Sequence, residues 1–331
     1  MTEKSILDDI EIRREMLLAP DINQDHPIPW FMRYDYKNDA RYMAMPVSAQ
    51  MNADRFMRDG YIVFENALPA EICEKTVREF KDFTSRNSDY FDKFRNENGY
   101  LERVINLHLA VPSFIDLFCA TKEVLEFQDY LFGSPTSIYT SLYFEKGSSQ
   151  SIHRDTPYFT TRPEYCYFGT WFALEDADVE NGCLEVMPGG HLIPELDRRA
   201  FARDFLGDGE VGSINAALFD EYQNAIFVDC KTKGLEKAHV PMRRGDVLVW
   251  HPQLPHGGGE IAVPSRSRHS IVMHTVPENC PVHHAYAFFD PSLELPASAP
   301  WPSENYSGRQ FAAHDTIEVM HREPRSPRSF I

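Results

Sequence analysis

The tripeptide His153-Arg154-Asp155 places an imidazole and a carboxylate two residues apart. On an extended segment, residues i and i+2 face the same side, so both side chains can meet one cation. A third ligand has to come from elsewhere. Thirteen histidines are present and six fall between 251 and 284. His256 is the candidate among them. The run Asp246-Val247-Leu248-Val249-Trp250 delivers it, and Gly257-Gly258-Gly259 follows it, where missing side chains allow close backbone approach. His251 competes; five residues of regular strand would turn it to the opposite face, but Pro252 and Pro255 break the regularity. Two histidines and one carboxylate form the facial triad of non-haem Fe(II) oxygenases, with open positions left on the metal. An isolated His-x-Asp is common by chance, so the weight falls on the residues around it.

Twelve residues after His256 stands Arg268-His269-Ser270. Arg268 and Ser270 share one strand face and both donate hydrogen bonds, the arginine through a planar fork that suits a carboxylate. Arg266 is the alternative. It lies in the polar turn Pro264-Ser265-Arg266-Ser267, whereas Arg268 opens the apolar run Ile271-Val272-Met273.

The elements that must hold these residues change period along the chain. Residues 1–50 carry little periodicity and read as an extension that wraps the body or helps an interface. Asn52 can cap a short helix ending at Gly60, and Tyr61-Ile62-Val63-Phe64 is a strand. Ile72, Thr76, Phe80 and Phe83 predict an amphipathic helix over 70–86, and a second helical stretch spans 113–132 before Gly133. Beyond it the period falls towards two. Residues 137–145, 166–174, 183–187, 246–250 and 268–276 read as strands, separated by Gly-rich and Asn-rich turns. Segment 192–240 interrupts them with helical pieces at 195–205 and 214–224. Long insertions of this kind tend to be functional, so it reads as a lid. Helices first and strands after predict a β-rich α+β unit in which helices buttress a sandwich or barrel.

The 331 residues carry 33 Lys+Arg against 50 Asp+Glu, a formal charge of −17. Nucleic acid or an anionic membrane would require a basic footprint. The expected partner is a small molecule, with self-association left open. The six cysteines form no CxxC motif and read as reduced thiols. The first sixteen residues lack an apolar core of the signal-peptide kind, so a cytoplasmic location is expected. Arg198, Arg199 and Arg203 form a basic run, read as a solvated helix face with an anionic substrate as the sharper option.

Four blocks together resemble the phytanoyl-CoA dioxygenase family of Fe(II)/2-oxoglutarate oxygenases. They are His153-Arg154-Asp155, although the family's middle residue is more often Gln; Gly169-Thr170-Trp171 through Ala177; Glu180-Asn181-Gly182-Cys183-Leu184 through Pro188-Gly189-Gly190-His191; and Gly245-Asp246 through His256-Gly257-Gly258. With the opening strand they cover roughly 52–276. The resemblance implies a double-stranded β-helix (jelly roll, cupin-like) buttressed by the N-terminal helices. The expected division of the chain is an extension at 1–50, an oxygenase domain at 51–290 that includes the 192–240 insertion, and a C-terminal tail at 291–331. The resemblance decides for His256 over His251, which becomes a scaffold residue, and implies that His153, Asp155 and His256 bind Fe(II). It implies that Arg268 with Ser270 anchors the distal carboxylate of 2-oxoglutarate, that Trp171 lies near this cosubstrate, and that O2 is consumed with release of succinate and CO2. Tyr143 is a further candidate for the cosubstrate, weighed against a structural place in the core. Asp155 favours hydroxylation, desaturation or cyclisation over halogenation, because related halogenases lack that carboxylate. The expected function is hydroxylation or another oxidation of a small molecule, in the class of specialised metabolites. The alternatives are a metal- or ligand-binding barrel without turnover and an oxygenase of protein side chains.

Overall fold

The computed structural model describes residues 28–212, 215–296 and 301–331. The reading of the first sixteen residues therefore lies outside the described residues. Ten strands position the site: β1 (Tyr61–Phe64), β2 (Val104–Ile105), β3 (Thr136–Phe144), β4 (Thr160–Thr161), β5 (Phe168–Ala173), β6 (Leu184–Val186), β7 (Ala238–Val240), β8 (Val247–Trp250), β9 (His256–Gly258) and β10 (Ser270–Pro277). The main sheet runs in the order β1-β8-β5-β10-β3-β2, and a smaller sheet runs β7-β6-β9. An antiparallel bridge between His153 and His256 extends the smaller sheet by one chain segment.

The register sorts the main sheet into two faces. Phe64, Val247, Phe172, Ile271, Tyr143 and Val104 line up across the strands and join one core cluster with the helices. Helix Ala70–Arg86 turns Cys73, Thr76, Phe80, Phe83 and Thr84 towards it, the spacing that a half-buried helix requires. The adjacent row, Val63, Leu248, Trp171, Val272 and Leu142, belongs to a second cluster shared with the smaller sheet. Side chains of a strand alternate in this way, so one sheet serves a helical layer on one face and a pocket on the other.

The helical and strand forecasts hold with local corrections. Asn52 lies inside a longer helix, Val47–Asp59, which Gly60 ends at φ +83°. The stretch 113–132 is two helices, Ser113–Ala120 and Lys122–Phe132, broken at Thr121, whose hydroxyl donates to the Phe118 carbonyl at 2.7 Å. In the insertion, Asp197 and Asn215 cap helices Arg198–Leu206 and Ala216–Thr232. Trp30, Phe31, Tyr36, Tyr42 and Met45 of the extension are buried in the main core.

The tail is not peripheral. Strands Arg309–Ala312 and Ile317–Val319 pair with β3 and β2, and Phe311, Ile317 and Val319 enter the core. Short polar strands between turns give little signal before their partners are known. Among the described residues, no helix is long and apolar enough to cross a membrane.

Candidate metal centre

His153 and His256 are brought together by backbone pairing. The His153 amide donates to the His256 carbonyl at 2.8 Å and the His256 amide returns the bond at 2.9 Å. Their rings lie 4.6 Å apart. Each Nδ1 is spent on a carbonyl two residues earlier, Ser151 at 2.7 Å and Leu254 at 2.9 Å. That bond fixes the tautomer and leaves the Nε2 lone pairs free to ligate. Gly257 and Gly258 allow β9 to approach the Ser148–Gln150 backbone, because a Cβ at Gly257 would stand 2.6 Å from the Gln150 carbonyl.

Asp155 closes the triad. Its carboxylate oxygens lie 3.4 Å from His153 Nε2 and 3.4 Å from His256 Nε2. All three ligand atoms fall within 4.8 Å of one another. Ligand bonds of about 2.1 Å at right angles would separate neighbouring ligand atoms by roughly 3 Å, so this spacing fits one face of a metal ion. Burial alone would raise the Asp155 carboxyl, but His256, His274 and His153 outweigh it and hold the group well below the usual carboxylate range. Burial pushes His256 down to about 4. Near neutral pH the triad therefore offers an ionised carboxylate and a neutral His256, the forms that bind metal. The amide of Gln150 meets His153 Nε2 at 3.2 Å, on the side where a cation would stand.

Two groups that the sequence reading did not single out steady Asp155. Trp250 Nε1 donates to Oδ2 at 3.1 Å, and His274 Nε2 meets the same oxygen at 3.1 Å. Trp250, Gly169 and His274 stand opposite one another on β8, β5 and β10. Period two counted onward from Arg268 and Ser270 arrives at His274, which was the available signal. Gly169 is required there: a Cβ would overlap the indole of Trp250. Gly169→Ala is expected to shift Trp250, destabilise the fold by about 1–3 kcal/mol as overpacking does, and weaken Fe(II) binding about tenfold. Thermal unfolding and anaerobic metal titration check both.

Arg268 is buried at 3% exposure on the same inner face. One guanidinium nitrogen donates to the Gly182 carbonyl at 2.6 Å, another to Ser270 Oγ at 3.3 Å, and Nε has no partner. The guanidinium lies 5.3 Å from the Trp171 ring and 5.9 Å from that of Phe144. No described carboxylate pairs with it, and burial lowers it to about 10. A desolvated cation without a counter-ion is costly, so the site is built to receive an anion. Arg266 is instead held at the surface by Asp178 and Glu180, at 2.8 Å each. The Asn-Gly-Cys-Leu block has its reason here. Asn181 ties its turn to the carbonyls of Asp176 and Ser267, and the next residue, Gly182, supplies the carbonyl for Arg268.

Two expectations change, those for Tyr143 and for the basic run. Tyr143 is on the other face of β3, stacked on Phe80 at 3.8 Å, with its hydroxyl bonded to His269 at 2.8 Å. Strand alternation turns it away from Arg268 and Trp171, and it takes the structural place in the core. His251 keeps the scaffold place expected of it, in the helical layer against Phe31 and Phe56. The basic run meets protein carboxylates: Arg198 pairs with Glu164 at 3.0 Å and Arg199 with Asp290 at 2.6 Å. Arg154 points away from the ligands into a buried network. Its guanidinium donates to the Gly190 and Ile193 carbonyls and to Glu195, while Gln223 of the insertion clamps its backbone at 2.7 and 2.9 Å. The insertion is thereby fastened to the segment that carries two of the three ligands.

A family model described as phytanoyl-CoA dioxygenase (PhyH) matches residues 56–270. The peroxisomal phytanoyl-CoA dioxygenase of Bos taurus is 26% identical over 226 residues, covering 63% of this chain and 59% of the relative. The phytanoyl-CoA dioxygenase domain-containing protein 1 of Rattus norvegicus is 25% identical over 291 residues, covering 73% of this chain and 94% of the relative. The chain thus spans about three fifths of the length of the bovine enzyme. In fold it is similar to the non-heme alpha-ketoglutarate-dependent epimerase SnoN from nogalamycin biosynthesis, with a TM-score of 0.54 and 19% identity over 82% of this chain and all of that one. EctD from S. alaskensis, in its apoform, gives a TM-score of 0.51 and 17% identity over 80% of this chain and 85% of that one.

Proposed function

Because the chain belongs to the phytanoyl-CoA dioxygenase (PhyH) family, we propose that it is a non-haem Fe(II)/2-oxoglutarate-dependent dioxygenase that hydroxylates a small molecule, in the class of specialised metabolites. The observation that carries this reading is the pairing of a His-Asp-His face with a buried, uncompensated Arg268 on one pocket wall. Fe(II), when bound, supplies the dioxygen chemistry that couples decarboxylation of 2-oxoglutarate to oxidation of the substrate.

The protein's own part is positioning. His153, Asp155 and His256 would hold the ion, and Trp250 with His274 keeps the Asp155 carboxylate from rotating. Arg268 and Ser270 would receive the far carboxylate of 2-oxoglutarate through charge-assisted hydrogen bonds. Trp171 and Phe144 pack around that guanidinium and keep water from it, which strengthens its pull on an anion. The insertion 192–240 serves as a lid. Phe219 from its second helix packs on Tyr158 at 4.3 Å, beyond the metal ligands.

The protein is expected to release succinate from 2-oxoglutarate only with Fe(II) and O2 present, at a slow basal rate that rises with the right substrate. Quantifying succinate under air and under argon tests this. Equal succinate in both, or none under air across a broad set of small molecules, would favour a binding barrel without turnover.

A further inference from the structure

The pocket wall carries a second guanidinium that the reading above leaves unused. Arg103 directly precedes β2, whose Val104 and Ile105 lie opposite Tyr143 and Leu142. Val104 shares the helical core with Tyr143. By alternation, Arg103 and Ile105 face the space between the sheets. Arg103 is partly buried, and its Nε is wholly buried without a partner. No acidic group of the described residues lies within ion-pairing distance of it. Burial lowers its pKa, and the groups that act against this at longer range are Tyr158, Glu318, Asp155 and Glu102. Asp155 and Tyr158 among them belong to the ligand segment and the turn that follows it.

Among the described arginines, such isolation away from solvent is otherwise confined to Arg268. The other described arginines without an acidic partner are Arg55, Arg78, Arg86, Arg243, Arg322 and Arg328, all solvent-exposed, and the buried Arg268. A second polar group on the inner face is also unused. His274 is 3% exposed and directs Nε2 to Asp155, and its buried Nδ1 has no hydrogen-bond partner. A bound 2-oxoglutarate would present one carboxylate to Arg268 and the other to the metal. Arg103 then remains for a different anion.

We infer that Arg103 seats a carboxylate of the substrate, so that this protein oxidises a small carboxylic acid and not a coenzyme A thioester. This rests on the oxygenase reading above. A guanidinium fork matches a single carboxylate bidentately. The several phosphates of coenzyme A would call for a cluster of cations, and no second cation is among the groups that act on Arg103. His274 Nδ1 adds an unpartnered polar atom for a hydroxyl or amine on the same molecule.

The test uses the full chain with Fe(II) and 2-oxoglutarate under argon. It is titrated with a panel of aliphatic and aromatic carboxylic acids, their primary amides and their coenzyme A thioesters, following the visible absorption and the thermal midpoint. At least one acid is expected to bind, its amide about tenfold or more weaker, and Arg103→Gln is expected to lose about tenfold in acid affinity while binding 2-oxoglutarate as wild type does. Arg103→Lys should restore part of the loss. The inference is overturned if no acid binds, if amides or thioesters bind as well as acids, if Arg103→Gln binds acids like wild type, or if that variant loses 2-oxoglutarate instead. If wild type shows no visible band with Fe(II) and 2-oxoglutarate, the oxygenase reading has failed. The thermal midpoint with acids then still decides the role of Arg103.

Discussion

Asp155→Ala is expected to lower Fe(II) affinity by more than about a hundredfold, beyond the loss typical of residues that merely support a ligand. Asp155 is the anionic member of the triad, and two imidazoles remain without it. Its removal also strands Trp250 Nε1 and His274 Nε2, both buried donors at 3.1 Å from the lost oxygen. Each orphaned group costs about 1–3 kcal/mol, so the metal-free protein should unfold at a lower temperature as well. Asp155→Asn separates the two effects. Its amide oxygen can still accept from Trp250, so stability should largely return while metal affinity stays low. Anaerobic equilibrium dialysis with Fe(II) and thermal unfolding of both variants measure this. Wild-type Fe(II) affinity in Asp155→Ala would remove the triad.

Arg268→Leu is expected to act in the opposite sense on stability. Truncating one partner of a buried charged contact costs about 2–5 kcal/mol, so 2-oxoglutarate affinity should fall by roughly 30-fold to several thousandfold. Metal affinity should not change, because Arg268 contacts Gly182 and Ser270 and none of the three ligands. Without 2-oxoglutarate the variant should be at least as stable as wild type. The substitution removes a desolvated charge that the empty pocket leaves uncompensated, and it keeps an apolar side chain against Trp171 and Phe144. Weaker cosubstrate binding with equal or higher thermal stability is a signature that simple loss of packing would not produce. A variant that is less stable and binds 2-oxoglutarate normally would show that Arg268 serves the fold alone.

The centre was largely legible in the sequence because strands write their faces at period two. His153 with Asp155, and Arg268 with Ser270, are such pairs, and all four lie where that spacing put them. His274 follows from the same count, but a histidine in an apolar strand gives no sign of its partner until Asp155 is seen beside it. Tyr143 stands one residue before Phe144, and the strand is buried on both faces, so composition could not say which neighbour meets the pocket. No local pattern explains Gly169; its need arises from Trp250, eighty-one residues away in the chain and opposite it in the sheet. Arg103 and the tail strands were silent for a similar reason. Their meaning depends on pairing to β3 and β2, and such long-range contacts leave no local pattern.

Anaerobic titration of the protein with Fe(II) and then 2-oxoglutarate tests the central claim most directly, because it needs no substrate. A visible charge-transfer band should appear only when both are present, saturate at one equivalent of each, and vanish in His153→Ala and Asp155→Ala. No band in wild type, or an unchanged band in either variant, would contradict the assignment of His153, Asp155 and His256 as an iron site.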